Sequence, residues 1–209
     1  MGIDRAGWPF ILGALVFAVV FGVWLGRAWS VPFLVLTAFF LFFFRDPERQ
    51  SPTGPTVVVS PADARIMAAG AWPWPGAPEG EWTTISMFLS PLDVHVNRTP
   101  VDGTVRRVEY HPGTFLPAYK KEAGELNEWT EVWFDRPGGP VVVRQIVGIL
   151  ARRIVCRLEA GQQVRAGDRF GVMKFGSRVD MFLPKTATIH VKPGDKVVGG
   201  ETLLATLAE

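Results

Sequence analysis

The chain has 209 residues, enough for one catalytic domain plus an anchor and too few for a second enzyme domain. Its formal charge of +2 comes without any block of like charges, so composition argues against a nucleic-acid partner. A single cysteine, Cys156, rules out an intrachain disulfide framework and a cysteine metal cluster; it sits in the apolar run Ile154–Leu158 and reads as a core strand residue.

Trp8–Leu25 is uncharged, Arg27 interrupts, and Ala28–Phe44 is uncharged again. Each run approaches the ~20 apolar residues that cross a bilayer as a helix, the second being short and containing Pro32. The segment therefore predicts a helical membrane hairpin, with one span plus a re-entrant piece as the alternative. A secretory leader fits worse, because the apolar stretch is too long and lacks a small-residue cleavage site before a polar start. With two spans both ends share a side, and Arg5, Arg45 and Arg49 outweigh Arg27, which places the following domain in the cytoplasm. The expected division is an anchor over residues 1–45 and a β-rich domain over 46–209.

From Pro55 onward the pattern changes to short strand-like runs cut by Gly and Pro: Thr56–Val59, Trp82–Leu89, Thr104–Tyr110, Glu131–Phe134, Val141–Leu150 and Ile154–Leu158. Trp72–Gly76 reads as a proline-punctuated loop. Val164-Arg-Ala-Gly-Asp168 recurs as Val191-Lys-Pro-Gly-Asp195, each a short strand feeding a Gly-Asp turn. The repeat resembles the flattened β-sandwich of lipoyl and biotinyl carrier domains, the barrel-sandwich hybrid. The predicted fold is thus mostly β and barrel-sandwich-hybrid-like, with Gly176-Ser177 in a hairpin region between the two repeats.

A Gly-Ser bond in a tight turn has its own chemistry. Glycine tolerates positive φ and leaves its carbonyl open, so the serine hydroxyl can reach back and attack it. The amide becomes an ester; loss of the serine α-proton then expels the upstream chain at Gly176. Ser177 is left as dehydroalanine, which takes up water, releases ammonia and becomes an N-terminal pyruvoyl group. Three further segments accompany this pair: Val59-Ser-Pro-Ala-Asp-Ala-Arg65, Phe88-Leu-Ser-Pro-Leu-Asp-Val-His-Val-Asn-Arg-Thr-Pro100 and Val108-Glu-Tyr-His-Pro-Gly-Thr-Phe115. In this order, behind an apolar anchor and ahead of Phe175-Gly176-Ser177, they resemble the short form of the phosphatidylserine decarboxylase family, over roughly residues 45–205.

The resemblance implies a proenzyme that cuts itself between Gly176 and Ser177 and uses a pyruvoyl cofactor derived from Ser177, with no metal and no pyridoxal phosphate. Its two chains would stay together as a heterodimer, a homo-oligomer being compatible. It implies that His95 is functional and that Asp63, His95 and Ser177 act in the order of a carboxylate–imidazole–hydroxyl relay, with His95 also the proton donor in turnover. Longer members of the family carry a second histidine where this chain has Arg98, which leaves the relay's base open between His95 and another group. Arg98 and His111 are candidates for the headgroup of a membrane phospholipid substrate, bound through its amine as a Schiff base. His190 reads as a strand residue. Asp93 reads as a partner of His95 or a turn cap. Two alternatives remain: a decarboxylase of another serine-headed lipid such as archaetidylserine, and a non-catalytic lipoyl-like carrier displaying Lys174 at a hairpin tip.

Overall fold

A computed structural model describes residues 2–71, 76–149, 153–174 and 176–208; Trp72–Pro75 of the predicted loop, Leu150 at the end of one predicted strand and Phe175 lie outside the described residues. The chain divides into two compact units, Met1–Glu48 and Arg49–Glu209.

In the first unit, strands β1 (Gly2–Ile3) and β2 (Arg45–Asp46) pair antiparallel with Gly2 opposite Asp46, which carries the unit past the expected boundary at residue 45. Between them run helices α1 (Trp8–Trp24) and α2 (Val31–Phe43). Pro9 and Pro32 both fall in a first helical turn, where the missing N–H leaves no hydrogen bond unmade. Gly26, at φ +100°, turns the chain between the helices. Phenylalanines then zip them together: Phe10 stacks on Phe44, and Phe21 meets Phe33 at 4.8 Å between ring centroids. Among the described residues Arg5–Trp24 is long and apolar enough to cross a membrane, and Arg27–Phe43 is a shorter apolar helical stretch.

The second unit holds β3 (Val57–Val59), β4 (Ala64–Gly70), β5 (Trp82–Leu89), β6 (Val96–Arg98), β7 (Gly103–His111), a one-turn helix α3 (Ala123–Leu126), β8 (Trp129–Asp135), β9 (Val141–Ile146) and β10 (Ile154–Cys156). It continues through β11 (Gln163–Val164), β12 (Arg169–Met173), β13 (Ser177–Pro184), β14 (Thr188–Ile189), β15 (Lys196–Val197) and β16 (Leu203–Thr206). The unit is mostly β, as predicted. One antiparallel sheet has the order β11-β7-β8-β9-β13-β5-β4-β15, and two three-stranded sheets have the orders β10-β12-β6 and β14-β16-β3. Strand alternation sends Val179, Met181 and Leu183 of β13, Val141 and Val143 of β9, and Ile85, Met87 and Leu89 of β5 into one core. Val58, Phe170, Met173 and Leu204 from the two small sheets join it.

The two V-x-x-G-D segments fold alike. Asp168 accepts from the Arg165 N–H at 2.8 Å, and Asp195 accepts from the Lys192 N–H at 2.9 Å. Gly167 and Gly194 both have φ near +90°, at +89° and +96°. The hairpin expected between the repeats is absent: β12 pairs with β10 and β6, whereas β13 pairs with β5 and β9, so the chain changes sheets at 174–176. Lys174 accordingly lies in a sheet-to-sheet crossing, half-buried, rather than at the tip a carrier lysine requires.

The face of the large sheet opposite the core buries charge. Arg178 and Asp180, on alternate positions of β13, are fully inaccessible and joined by Nε···Oδ1 at 2.7 Å with a second contact from Nη2 to Oδ2. Arg144 binds Glu131 through Nε at 2.8 Å. Both guanidiniums also donate to backbone carbonyls, Arg178 to Lys120 at 3.0 Å and Arg144 to Gly124 at 3.3 Å, which fastens the 112–126 segment to this face. Removing one partner of such a pair strands a buried charge. Asp180→Ala should therefore lower unfolding stability by about 3–5 kcal/mol in a denaturant titration, whereas an exposed pair such as Lys185–Glu81 should contribute under about 1 kcal/mol.

Candidate active site

The Gly176–Ser177 bond is held by a second crossing that runs beside it. Leu89, the last residue of β5, is paired with Ser177, the first of β13. The chain then turns through Ser90-Pro-Leu-Asp93, where the Asp93 carboxylate accepts from the Ser90 N–H at 2.7 Å and the Asp93 N–H donates to the Ser90 carbonyl at 2.9 Å. It enters the small sheet at His95, whose carbonyl accepts from the Met173 N–H at 3.2 Å. Residues 89–95 and 173–177 thus pass from sheet to sheet together, clamped at both ends.

His95 is fully buried. Its Nδ1 lies 2.9 Å from the Asp93 carbonyl, which can only accept, so Nδ1 carries the proton. The lone pair at Nε2 is left free to accept, and it receives the Gly176 N–H at 3.4 Å. Gly176 has φ +75°, a conformation that side chains oppose. Ser177 is fully buried, and its hydroxyl has no hydrogen-bond partner among the described residues. An orphaned buried hydroxyl costs about 1–3 kcal/mol and is a common mark of a reactive group. A fully buried hydroxyl, a glycine carbonyl before it that no side chain screens and an imidazole nitrogen that accepts from the same glycine are the parts that an N-to-O acyl shift needs.

The structure does not bring Asp63 to His95. The Asp63 carboxylate takes Arg49 at 3.0 Å and the Gly199 N–H at 2.7 Å. The partner of His95 Nδ1 is instead the Asp93 carbonyl, two residues before it, while the Asp93 carboxylate caps the turn. Arg98, expected at a headgroup phosphate, is buried and donates to the Gly167 carbonyl at 3.0 Å, with its Cδ against Gly200. Asp63 and Arg98 therefore both serve the turns around Gly167 and Gly199–Gly200. His111 is exposed and stacks on Trp129 at 3.8 Å. Through Trp129 and Ile146 it shares a register row with Arg178, three strand spacings or roughly 14 Å away. His190 is exposed and bonded to Thr206.

Three residues of the site escaped the sequence reading. Gly148 packs against the Gly176 carbonyl so closely that a Cβ there would lie 2.3 Å from the oxygen; a glycine interrupting the apolar run Val141–Leu150 was the available signal. Asn97 and Gln145 meet across the two sheets at 2.6 Å and keep one unpartnered donor and one unpartnered acceptor, both buried. Gln145 stands opposite Val179, on the face of the sheet that also carries Ser177.

Residues 36–205 match the family model described as phosphatidylserine decarboxylase. The chain belongs to the phosphatidylserine decarboxylase family. It is 42% identical over 204 residues to the phosphatidylserine decarboxylase proenzyme of Nitrosomonas europaea, covering 97% of this chain and 94% of that protein. It is 47% identical over 183 residues to the proenzyme of that name from Chlorobaculum tepidum, covering 88% and 82%. Among the described residues no group of three or more His, Cys, Asp or Glu side chains is placed to hold a metal ion.

The tautomer assigned to His95 generates a test. His95→Gln should slow self-cleavage at least ~10²-fold, the scale of general acid–base groups, as followed by loss of full-length chain on denaturing gels. His190→Ala, removing an exposed imidazole bonded to Thr206, should cleave at the wild-type rate. Indistinguishable rates for wild type and His95→Gln would move the base elsewhere.

Proposed function

We propose that this protein is a membrane-held phosphatidylserine decarboxylase that generates its own pyruvoyl group from Ser177 and releases CO2 to give phosphatidylethanolamine. The observation that carries the reading is the fully buried Ser177 hydroxyl, unpartnered among the described residues, directly after a positive-φ glycine whose N–H donates to Nε2 of His95. The names of the relatives, which specify both the lipid and a proenzyme, support it.

His95 Nε2 takes the Ser177 hydroxyl proton as Oγ adds to the Gly176 carbonyl carbon. His95 returns that proton to the nitrogen as the C–N bond breaks, leaving an ester and a free Ser177 amine, and the neutral imidazole can then take the Ser177 Cα proton as Gly176 is expelled as a carboxylate. Water then replaces the nitrogen, which departs as ammonia. The carbonyl so formed supplies the electron sink that lets an α-carboxylate leave as CO2 from an amine-bearing substrate. His95 remains beside it as the group that can hold a proton at Nε2, and the buried Asn97–Gln145 pair offers a spare donor and acceptor.

Cleavage need not separate the pieces. The downstream fragment supplies β13, paired on both edges, along with β15 on β4 and β16 on β3, so the two chains stay together as a heterodimer with a barrel-sandwich-like core. The lipid assignment draws on two surfaces. In the first unit α1 and α2 turn Val16, Val19, Val23, Val31 and Val35 outward, as a bilayer-embedded hairpin would. In the second unit Leu92, Tyr119 and Ile149 are 67%, 61% and 54% exposed, and each directly follows a residue packed at the cleavage site: Pro91, Ala118 or Gly148. That apolar rim suits a substrate whose acyl chains stay in the membrane. The excess of arginines at Arg5, Arg45 and Arg49 over Arg27 favours the cytoplasmic side for the catalytic unit.

Wild-type protein should run as two bands on a denaturing gel, co-elute as one species natively and convert phosphatidylserine to phosphatidylethanolamine. Ser177→Ala should remain one chain without activity. A single-band wild type that still decarboxylates phosphatidylserine would overturn the pyruvoyl reading, and an active preparation preferring an archaetidyl or other serine-headed lipid would replace the substrate.

A further inference from the structure

Gly148 is one of several described glycines kept bare by a close backbone neighbour, and its neighbour is the carbonyl of the bond that is cut. Its φ lies outside the left-handed region, so its backbone conformation would accept a side chain. What excludes one is a single neighbour. A Cβ at position 148 would sit 2.3 Å from the Gly176 carbonyl oxygen and 3.3 Å from the carbonyl carbon, with the Ala118 methyl 3.4 Å away on another side. Gly148 is buried, just past the last paired residue of β9. The Val147 N–H before it goes to the Glu128 carbonyl, whereas the Gly148 N–H makes no hydrogen bond among the described residues. Buried backbone N–H groups without an acceptor are rare and call for one.

We propose that Gly148 is a catalytic residue of self-cleavage: its bare Cα sets the position of the Gly176 carbonyl for attack by Ser177, and its spare N–H stabilises the oxyanion that develops there. The inference rests on the self-cleavage reading above and adds to it the stabilising group that the reading lacks. The chemistry is that of any acyl transfer through a tetrahedral centre. Negative charge appears on the Gly176 oxygen as Ser177 Oγ adds, and a preplaced backbone donor is most valuable at that moment. No reactant beyond the chain itself is needed for this shift, since His95 Nε2 takes the hydroxyl proton and returns it to the Ser177 nitrogen as the oxygen's charge collapses and the C–N bond breaks.

Two substitutions separate the parts of this role. Gly148→Ala keeps the N–H and adds the obstructing methyl. Replacement of Gly148 by glycolic acid, introduced as a backbone ester, keeps the bare carbon and deletes the N–H. Each should slow loss of full-length chain by about 10²-fold or more, the range seen when one oxyanion donor is lost or a reacting group is misplaced. Adding Ala118→Gly, which opens the other side of the methyl, should restore part of the rate to Gly148→Ala and none to the glycolate protein. Folding is checked in the Ser177→Ala background, where nothing cleaves: the methyl of Gly148→Ala should lower the unfolding midpoint by displacing the Gly176 carbonyl, whereas the glycolate protein, which adds no atom there, should keep it. Hydroxylamine, which cuts esters but not amides, should release no fragment from stalled Gly148→Ala protein, because the block precedes the ester. Wild-type cleavage with unslowed Gly148→Ala or glycolate cleavage would overturn the proposal alone; absence of cleavage in wild type would overturn the self-cleavage reading beneath it.

Discussion

The double crossing between sheets is the constraint on which the rest of the site depends. A strand that leaves one sheet and enters another must make an abrupt change of backbone direction, and here that change falls on Gly176 at φ +75°. Because Leu89 is locked to Ser177 and the His95 carbonyl to the Met173 N–H, the crossing cannot relax by sliding. The turn at Gly176 is therefore fixed, and the residues that clamp it are the ones that bring His95 to it. Glycine takes this φ without the penalty a side chain would bring, and the surroundings over-determine it.

The surroundings do so through burial on both faces. On the core side Val179, Met181 and Leu183 anchor β13 by ordinary apolar packing. On the other side Arg178 and Asp180 neutralise each other, and Arg178 also binds the Lys120 carbonyl. That bond draws in the segment carrying Ala118, which packs against Gly148, which in turn packs against the Gly176 carbonyl. A buried ion pair contributes little net stability compared with apolar residues of the same volume, because desolvation offsets the attraction. Here its guanidinium ties one end of β13 to the layer above the reacting bond, a directional link that a hydrocarbon side chain does not provide.

Much of this was legible in the sequence, and the exceptions share a cause. Trp82–Leu89 was read to the residue because its apolar, β-branched and aromatic composition has no competing interpretation. The repeat at Val164 and Val191 announced two matching turns because Gly and Asp each have one mechanical job there. The central strand, Ser177–Pro184, was missed: its charged residues at 178 and 180 suggest solvent when read singly, and their mutual pairing is visible only in three dimensions. The same limit misplaced the hairpin, since strand partners across sheets leave no local signal. Asp63 and Arg98 were assigned by family position, and their contacts to Arg49, Gly199 and Gly167 are long-range facts that no local window contains. His95 was legible by type, but its tautomer depends on the Asp93 carbonyl and needed the fold.

The central claim is that the bond after Gly176 is opened by Ser177 itself and that the serine becomes the reactive carbonyl. The most direct measurement is the intact mass of the fragment covering residues 177–209, before and after treatment with phenylhydrazine. The predicted result is a fragment that begins at position 177 without a serine amine and takes up one phenylhydrazine at its N-terminus. A fragment beginning with an ordinary serine, or one cut elsewhere in the chain, would contradict it.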